Sequence, residues 1–278
     1  MSKIAYLSIP EFERRNLDRV KLVPCEAYQE IVRQGLTVSV SDLTAGADLP
    51  IVFEISTRQA VAVGLMQDGI LFVTVRGTQK AYDWLTNLDA RKTRFSTACG
   101  TSGAAHQGFF AATEEILDRL IEEVSSTLNV YQFKKIVFSG HSLGGAIVMA
   151  LSSRCSICTS SAGNVLGSTL WDEILNKARL ESYTFGQPRL FTGGSTRHLT
   201  LPNVLVRSGD IVPGVPPEYL GYWMDGYIST SDSSVVYELE GDTTVKAIHW
   251  ITGLLSRSGV KDHNIELYME DLFDALGE

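Results

Sequence analysis

The feature that most constrains this chain is a junction. Lys135 to Ser139 reads Lys-Ile-Val-Phe-Ser, a short apolar run of the kind that forms a buried strand. It passes without a linker into Gly140-His141-Ser142-Leu143-Gly144-Gly145, and Ala146 to Ser153 follows as a small, apolar helical segment. Glycines remove side chains where a sharply turned backbone would collide, so the serine hydroxyl stands clear at the carboxyl end of the strand. The helix behind it aims its amino-terminal amides at the same point, which favours negative charge there.

Strand, Gly-x-Ser-x-Gly and helix in this succession form the nucleophile elbow of the α/β-hydrolase fold. A glycine-rich turn with an ordinary serine is the plainer alternative. The rest of the chain agrees with an α/β reading. Gly69 to Val75 is a nearly continuous apolar run that suits a strand buried on both faces, while Leu49 to Ile55 can be strand or helix and Ala60 to Met66 is a further apolar run. Phe109, Ala112, Ile116, Leu117, Leu120, Ile121 and Val124 recur at helical spacing, opposite a charged face of Glu114, Glu115, Asp118, Arg119, Glu122 and Glu123. Further strands are expected at Ser182 to Phe185, Val204 to Val206 and Val235 to Leu239, and helices near Tyr28 to Val32, Leu170 to Arg179, Val245 to Leu255 and Asn264 to Leu276. Alternation of this kind predicts a mostly parallel central sheet with helices on both faces. At 278 residues and 44% hydrophobic, the chain is expected to form one domain over residues 1–278.

The formal net charge is −8, spread along the chain, and no clustered basic face suggests nucleic acid as a partner. The first residues lack the apolar region of a signal peptide and no long apolar run follows, so a cytoplasmic location without a transmembrane segment is expected, with secretion as the alternative. Of the four cysteines only Cys155 and Cys158 lie close together, near the expected end of a helix, and no second pair completes a zinc site. No metal and no organic cofactor is called for.

A serine hydroxyl is a poor nucleophile until a base takes its proton, and a carboxylate must hold that base. In this fold the order is serine, acid, histidine. His249 sits in an apolar helical stretch and suits a core or helix-surface role, whereas His263 follows the polar turn Gly259-Val260-Lys261-Asp262 and opens the last helix. Asp210 lies just past the strand Val204 to Val206, at the edge where open α/β sheets assemble their sites. Asp225, Asp232 and Asp242 lie in polar turn-like segments, and Asp262 is adjacent to His263, where alignment for a hydrogen bond is rare. The Leu143 amide, directly after the serine, is one candidate oxyanion donor; Thr78, after the strand Gly69 to Val75, offers an amide and a hydroxyl or simply ends that strand.

Five segments, in order, resemble the class 3 lipase family, which includes the filamentous-fungal triacylglycerol lipases. They are Val75-Arg76-Gly77-Thr78 with Asp83-Trp84-Leu85; His106-Gln107-Gly108-Phe109; Phe138 to Gly145; Thr184-Phe185-Gly186-Gln187-Pro188-Arg189; and Asp210-Ile211-Val212-Pro213, with Asp262-His263 continuing the pattern. The resemblance implies a triad of Ser142, Asp210 and His263, an oxyanion hole of Thr78 and Leu143, and a lid at about residues 79–89 with Tyr82, Trp84, Leu85 and Leu88 on its apolar face. It implies a lipase or carboxylesterase acting on acylglycerols, with a lipid or other ester, held at a lipid–water interface, as its partner. Phospholipase or feruloyl-esterase-like specificity shares this machinery. A non-catalytic relative that binds a ligand is the reading from another class, and oligomeric state is left open.

Overall fold

The computed structural model describes residues 51–76, 90–97, 102–152, 157–159, 169–193, 201–207, 209–224, 227–229, 235–236 and 262–276. The strands are β1 (Ile51–Ser56), β2 (Val61–Gln67), β3 (Ile70–Arg76), β4 (Lys92–Thr97), β5 (Ser102–His106), β6 (Lys135–His141), β7 (Ile157–Thr159), β8 (Arg179–Phe185), β9 (Asn203–Val206), β10 (Tyr227–Ser229) and β11 (Val235–Val236). The helices are α1 (Gln107–Tyr131), α2 (Leu143–Ser152), α3 (Thr169–Lys177) and α4 (Ile265–Leu276), with 3-10 turns at Val212–Gly214 and Glu218–Leu220.

Among the described residues the main sheet has eight strands in the order β1-β2-β3-β6-β8-β9-β10-β11. It is parallel from β3 to β10 and antiparallel at both ends. This is the mostly parallel central sheet the sequence predicts, and the ambiguous run before Ser56 is strand. The β2–β3 connection is Asp68-Gly69, both at positive φ (49° and 74°). A two-residue turn of that geometry matches the right-handed twist of its strands, and Asp-Gly adopts it at low cost.

Helix α1 buries Phe109, Ile116, Leu120 and Val124 along the expected stripe. His106 is its amino-terminal cap: Nδ1 accepts a hydrogen bond from the Phe109 amide at 3.3 Å, and the imidazole stacks on the Phe109 ring at 3.9 Å. Helix α2 is buried on every side, as a helix apolar all round must be.

Three details depart from expectation. Helix α3 ends at Lys177 and Arg179 already belongs to β8, because the Arg179 amide is taken by the Lys134 carbonyl at 2.9 Å and the chain is drawn into the sheet. A second, antiparallel sheet of order β5-β4-β7 carries no clear sequence pattern, since its strands are short and mixed in polarity. Cys158 lies in β7, beyond the end of α2, so the helix-end position expected for it does not hold; Cys155 is outside the described residues. The expected helices near Tyr28 and at Val245 to Leu255, with His249, also lie outside them.

Candidate active site

Strand β6 continues past Ser139 through His141 and α2 begins at Leu143, so the turn between them is Ser142 alone. Its φ is +59°, a left-handed conformation costing on the order of 1–3 kcal/mol for a residue with a side chain. The surroundings hold it there. The Ser142 amide donates to the Phe185 carbonyl at 3.0 Å, and its own carbonyl accepts from Gly145 at 2.9 Å and Ala146 at 3.2 Å. A Cβ on Gly140 would run into the Gly144 carbonyl, and one on Gly144 into the Val75 carbonyl. The two glycines of the motif are therefore the places where β6, α2 and the end of β3 approach most closely. Leu143 supplies the first amide of α2, where helical N–H groups have no partner within the helix.

Asp210 and His263 come from separate parts of the chain and meet in the interior. Asp210 follows β9 in a turn closed by its amide on the Arg207 carbonyl at 3.0 Å, and His263 precedes α4. Nδ1 of His263 lies 2.8 Å from Oδ2 of Asp210, with both side chains nearly inaccessible. A carboxylate accepts here, so Nδ1 is the donor, the arrangement in which a neutral imidazole presents its lone pair at Nε2. Nε2 is buried and has no hydrogen-bond partner among the described residues. The Val212 amide donates to Oδ1 of Asp210 at 2.8 Å.

Two further residues, given no role from the sequence, belong to this cluster. The Tyr268 hydroxyl donates to Oδ2 of Asp210 at 2.7 Å and accepts from the Arg207 amide at 3.1 Å. Burial, then the Asp210 charge and its hydrogen bond, raise this phenol well above its ordinary value, so it stays a neutral donor. His141 stacks on the His263 ring at 4.5 Å. Burial, and after it the charge on His263, lower the His141 pKa well below its ordinary value, so it stays neutral beside its neighbour. Tyr268 reads from the sequence as a core aromatic of an amphipathic helix; its closeness to His263 in the chain is the one available signal.

The elbow and this cluster share a boundary. His141 precedes Ser142 and stacks on His263; Phe185, which accepts from the Ser142 amide, precedes Gly186. Gly186 has φ +53°, and a Cβ there would press on Oδ2 of Asp210, Nδ1 of His263 and the Tyr268 hydroxyl. Asp262 is not part of the cluster: its Oδ1 lies 3.7 Å from Nε of Arg207 at the surface. Arg189 is structural. It is buried, donates to the Gly214 and Pro216 carbonyls, and pairs with Glu218 at 2.8 Å, which fixes the loop carrying Val212. Thr78, the residues expected to form a lid (Tyr82, Trp84, Leu85 and Leu88), and Asp225, Asp232 and Asp242 lie outside the described residues. Strand β3, which leads to Thr78, ends beside the elbow, with Arg76 in register with His141.

The family model described as Lipase (class 3) matches residues 72–220, more than half of the chain. The chain belongs to the class 3 lipase family. A lipase of Rhizomucor miehei is 25% identical over 204 residues, covering 70% of this chain and 52% of that protein. A secreted mono- and diacylglycerol lipase 1 of Fusarium solani is 27% identical over 169 residues, covering 56% of this chain and 44% of that protein. The chain thus spans about half the length of these relatives. The crystal structure of a Penicillium cyclopium protein, an MDLA mutant form, superposes with a TM-score of 0.62 at 14% identity, covering 88% of this chain and 86% of that one. These likenesses fix the α/β-hydrolase architecture of the family member.

Proposed function

We propose that this class 3 lipase family member hydrolyses carboxylic esters of acylglycerols through an acyl-enzyme on Ser142. The observation that carries the reading is the buried Asp210–His263 hydrogen bond beside a serine held at positive φ between strand and helix. In this reading Nε2 of His263 takes the Ser142 proton as Oγ attacks the ester carbonyl, and Asp210 holds the imidazole in the required tautomer and stabilises its charged form. The developing oxyanion is met by the Leu143 amide and by Thr78. His263 then protonates the leaving alcohol, and water repeats the sequence to free the acid. Residues 79–89 act as a lid, with Tyr82, Trp84, Leu85 and Leu88 facing the lipid.

The acylglycerol substrate rests on the names of the relatives, one a lipase and one a mono- and diacylglycerol lipase. Export has the support of the Fusarium relative's description as secreted, and the cytoplasmic expectation gains none from these relatives. Among the described residues no helix is long and apolar enough to cross a membrane.

The test is Ser142→Ala, assayed on a chain-length series of p-nitrophenyl esters and on emulsified mono- and diacylglycerols. Turnover should fall on the order of 10³-fold or more with the fold unchanged. A serine-directed phosphonate should add its mass to Ser142 in the unsubstituted chain. Labelling elsewhere, or wild-type turnover in the folded variant, overturns the assignment.

A further inference from the structure

The exposed large apolar side chains among the described residues are Val130 and Tyr131 at the end of α1 and, in one short turn, Tyr219, Leu220 and Trp223, at 57%, 39% and 40% exposure. Soluble surfaces tolerate scattered apolar residues, whereas a contiguous group with two aromatic rings marks a contact surface. The turn is rigidly mounted. Between the exposed residues Tyr222 is fully buried, its hydroxyl donating to the Ala90 and Arg91 carbonyls at 3.0 and 3.2 Å. The Trp223 amide is held by the Phe191 carbonyl at 2.9 Å and the Gly221 carbonyl by the Gly193 amide at 3.1 Å. Presenting these rings costs little conformational entropy on binding, because the backbone beneath them is already fixed.

What lies beside the turn indicates what it meets. Arg91, Lys92 and Arg94 are all exposed, a cationic run in a chain whose formal charge is −8. Lys92 and Arg94 share one face of β4. The Lys92 ammonium donates to the Leu220 carbonyl and sits 5.3 Å above the Tyr222 ring, so this basic face adjoins the aromatic turn. The acidic side chain of the turn, Glu218, is neutralised by Arg189. Tyrosine and tryptophan settle where apolar and hydrated layers meet, and lysine and arginine beside them are drawn to anionic headgroups.

We propose that Tyr219, Leu220 and Trp223, flanked by Lys92 and Arg94, form a docking surface for an anionic lipid–water interface. The docking role rests on the lipid-ester reading of the site, so binding must be measured apart from turnover. The full chain carrying Ser142→Ala is sedimented with vesicles of phosphatidylcholine alone and of equal parts phosphatidylcholine and phosphatidylglycerol. Binding should favour the mixed vesicles and weaken with added salt. Adding Tyr219→Ser and Trp223→Ser should reduce binding roughly tenfold or more, and Arg94→Gln should reduce it roughly fivefold on mixed vesicles alone. With Ser142 restored, these substitutions should leave hydrolysis of a soluble short-chain ester unchanged. As a second measurement, brominated lipid should quench the fluorescence of the Ser142→Ala chain more strongly than that of the same chain with Trp223→Phe at equal vesicle binding. Indifference to headgroup charge, full binding by the double variant, or its effect being the loss of a dimer of this chain overturns the proposal. Vesicle binding as expected without ester hydrolysis in the unsubstituted chain defeats the reading of the site and leaves the docking surface standing.

Discussion

The elbow and the acid–base cluster lie against each other yet are built on opposite plans. The elbow takes its form from consecutive residues: a strand, one serine at φ +59°, and a helix, kept close by Gly140 and Gly144. The cluster collects Arg207, Asp210, Val212, His263 and Tyr268 from both sides of a long stretch of chain and joins them through buried and partly buried hydrogen bonds. Strain at the elbow is held by backbone hydrogen bonds and close backbone packing, whereas orientation in the cluster depends on side chains that a single substitution can release.

The largest expected effect separates chemistry from architecture. Asp210→Asn should lower kcat/KM on a soluble short-chain ester by roughly 10³ to 10⁴, since the amide can hold the imidazole in the wrong tautomer. His263→Ala should cost at least as much and His249→Ala little. Near-normal turnover in either cluster variant, measured under conditions where it stays folded, removes that residue from the mechanism.

Gly144→Ala should act on the other plan. Its Cβ meets the backbone of Val75, which has no flexible end to yield, so a loss on the order of 3 kcal/mol in unfolding free energy is expected by urea titration. An unchanged midpoint shows the elbow to be softer than its contacts suggest.

Tyr268→Phe should have a smaller effect, because Asp210 keeps its hydrogen bonds from His263 and the Val212 amide. Losing one charge-assisted donor should lower kcat roughly tenfold with KM little altered. A change confined to stability reduces Tyr268 to packing.

The smallest effect is linked to pH. The folded pKa of His141 lies below its ordinary 6.5, so below that pH the unfolded chain takes up a proton that the folded chain excludes. The stability contribution is complete above about 6.5 and declines as pH falls toward the lowered folded value, by at most about 1.4 kcal/mol per pH unit. His141→Phe keeps a ring against His263 and should flatten this part of the curve of unfolding free energy against pH. An equally steep curve assigns the dependence to other groups.

Sequence alone determined the elements whose requirements fall on neighbouring residues: the strand, serine and helix of the elbow, the apolar stripe of α1, and the parallel strands that alternate with helices. Local sterics and periodicity are written along the chain, so a short window contains them. The short strands of the second sheet carry no such pattern, and only pairing with one another makes them strands. Sequence order narrowed the acid and the base to a few residues and ranked Asp210 and His263 first. Only the tertiary structure brought those two within 2.8 Å, turned Asp262 toward Arg207, and set Tyr268 and His141 around the pair. Nothing in a tyrosine on the buried face of α4 announces its partner. Which buried polar group it must satisfy depends on where β9, the Asp210 turn and the last helix meet, a condition of packing that no stretch of neighbouring residues holds.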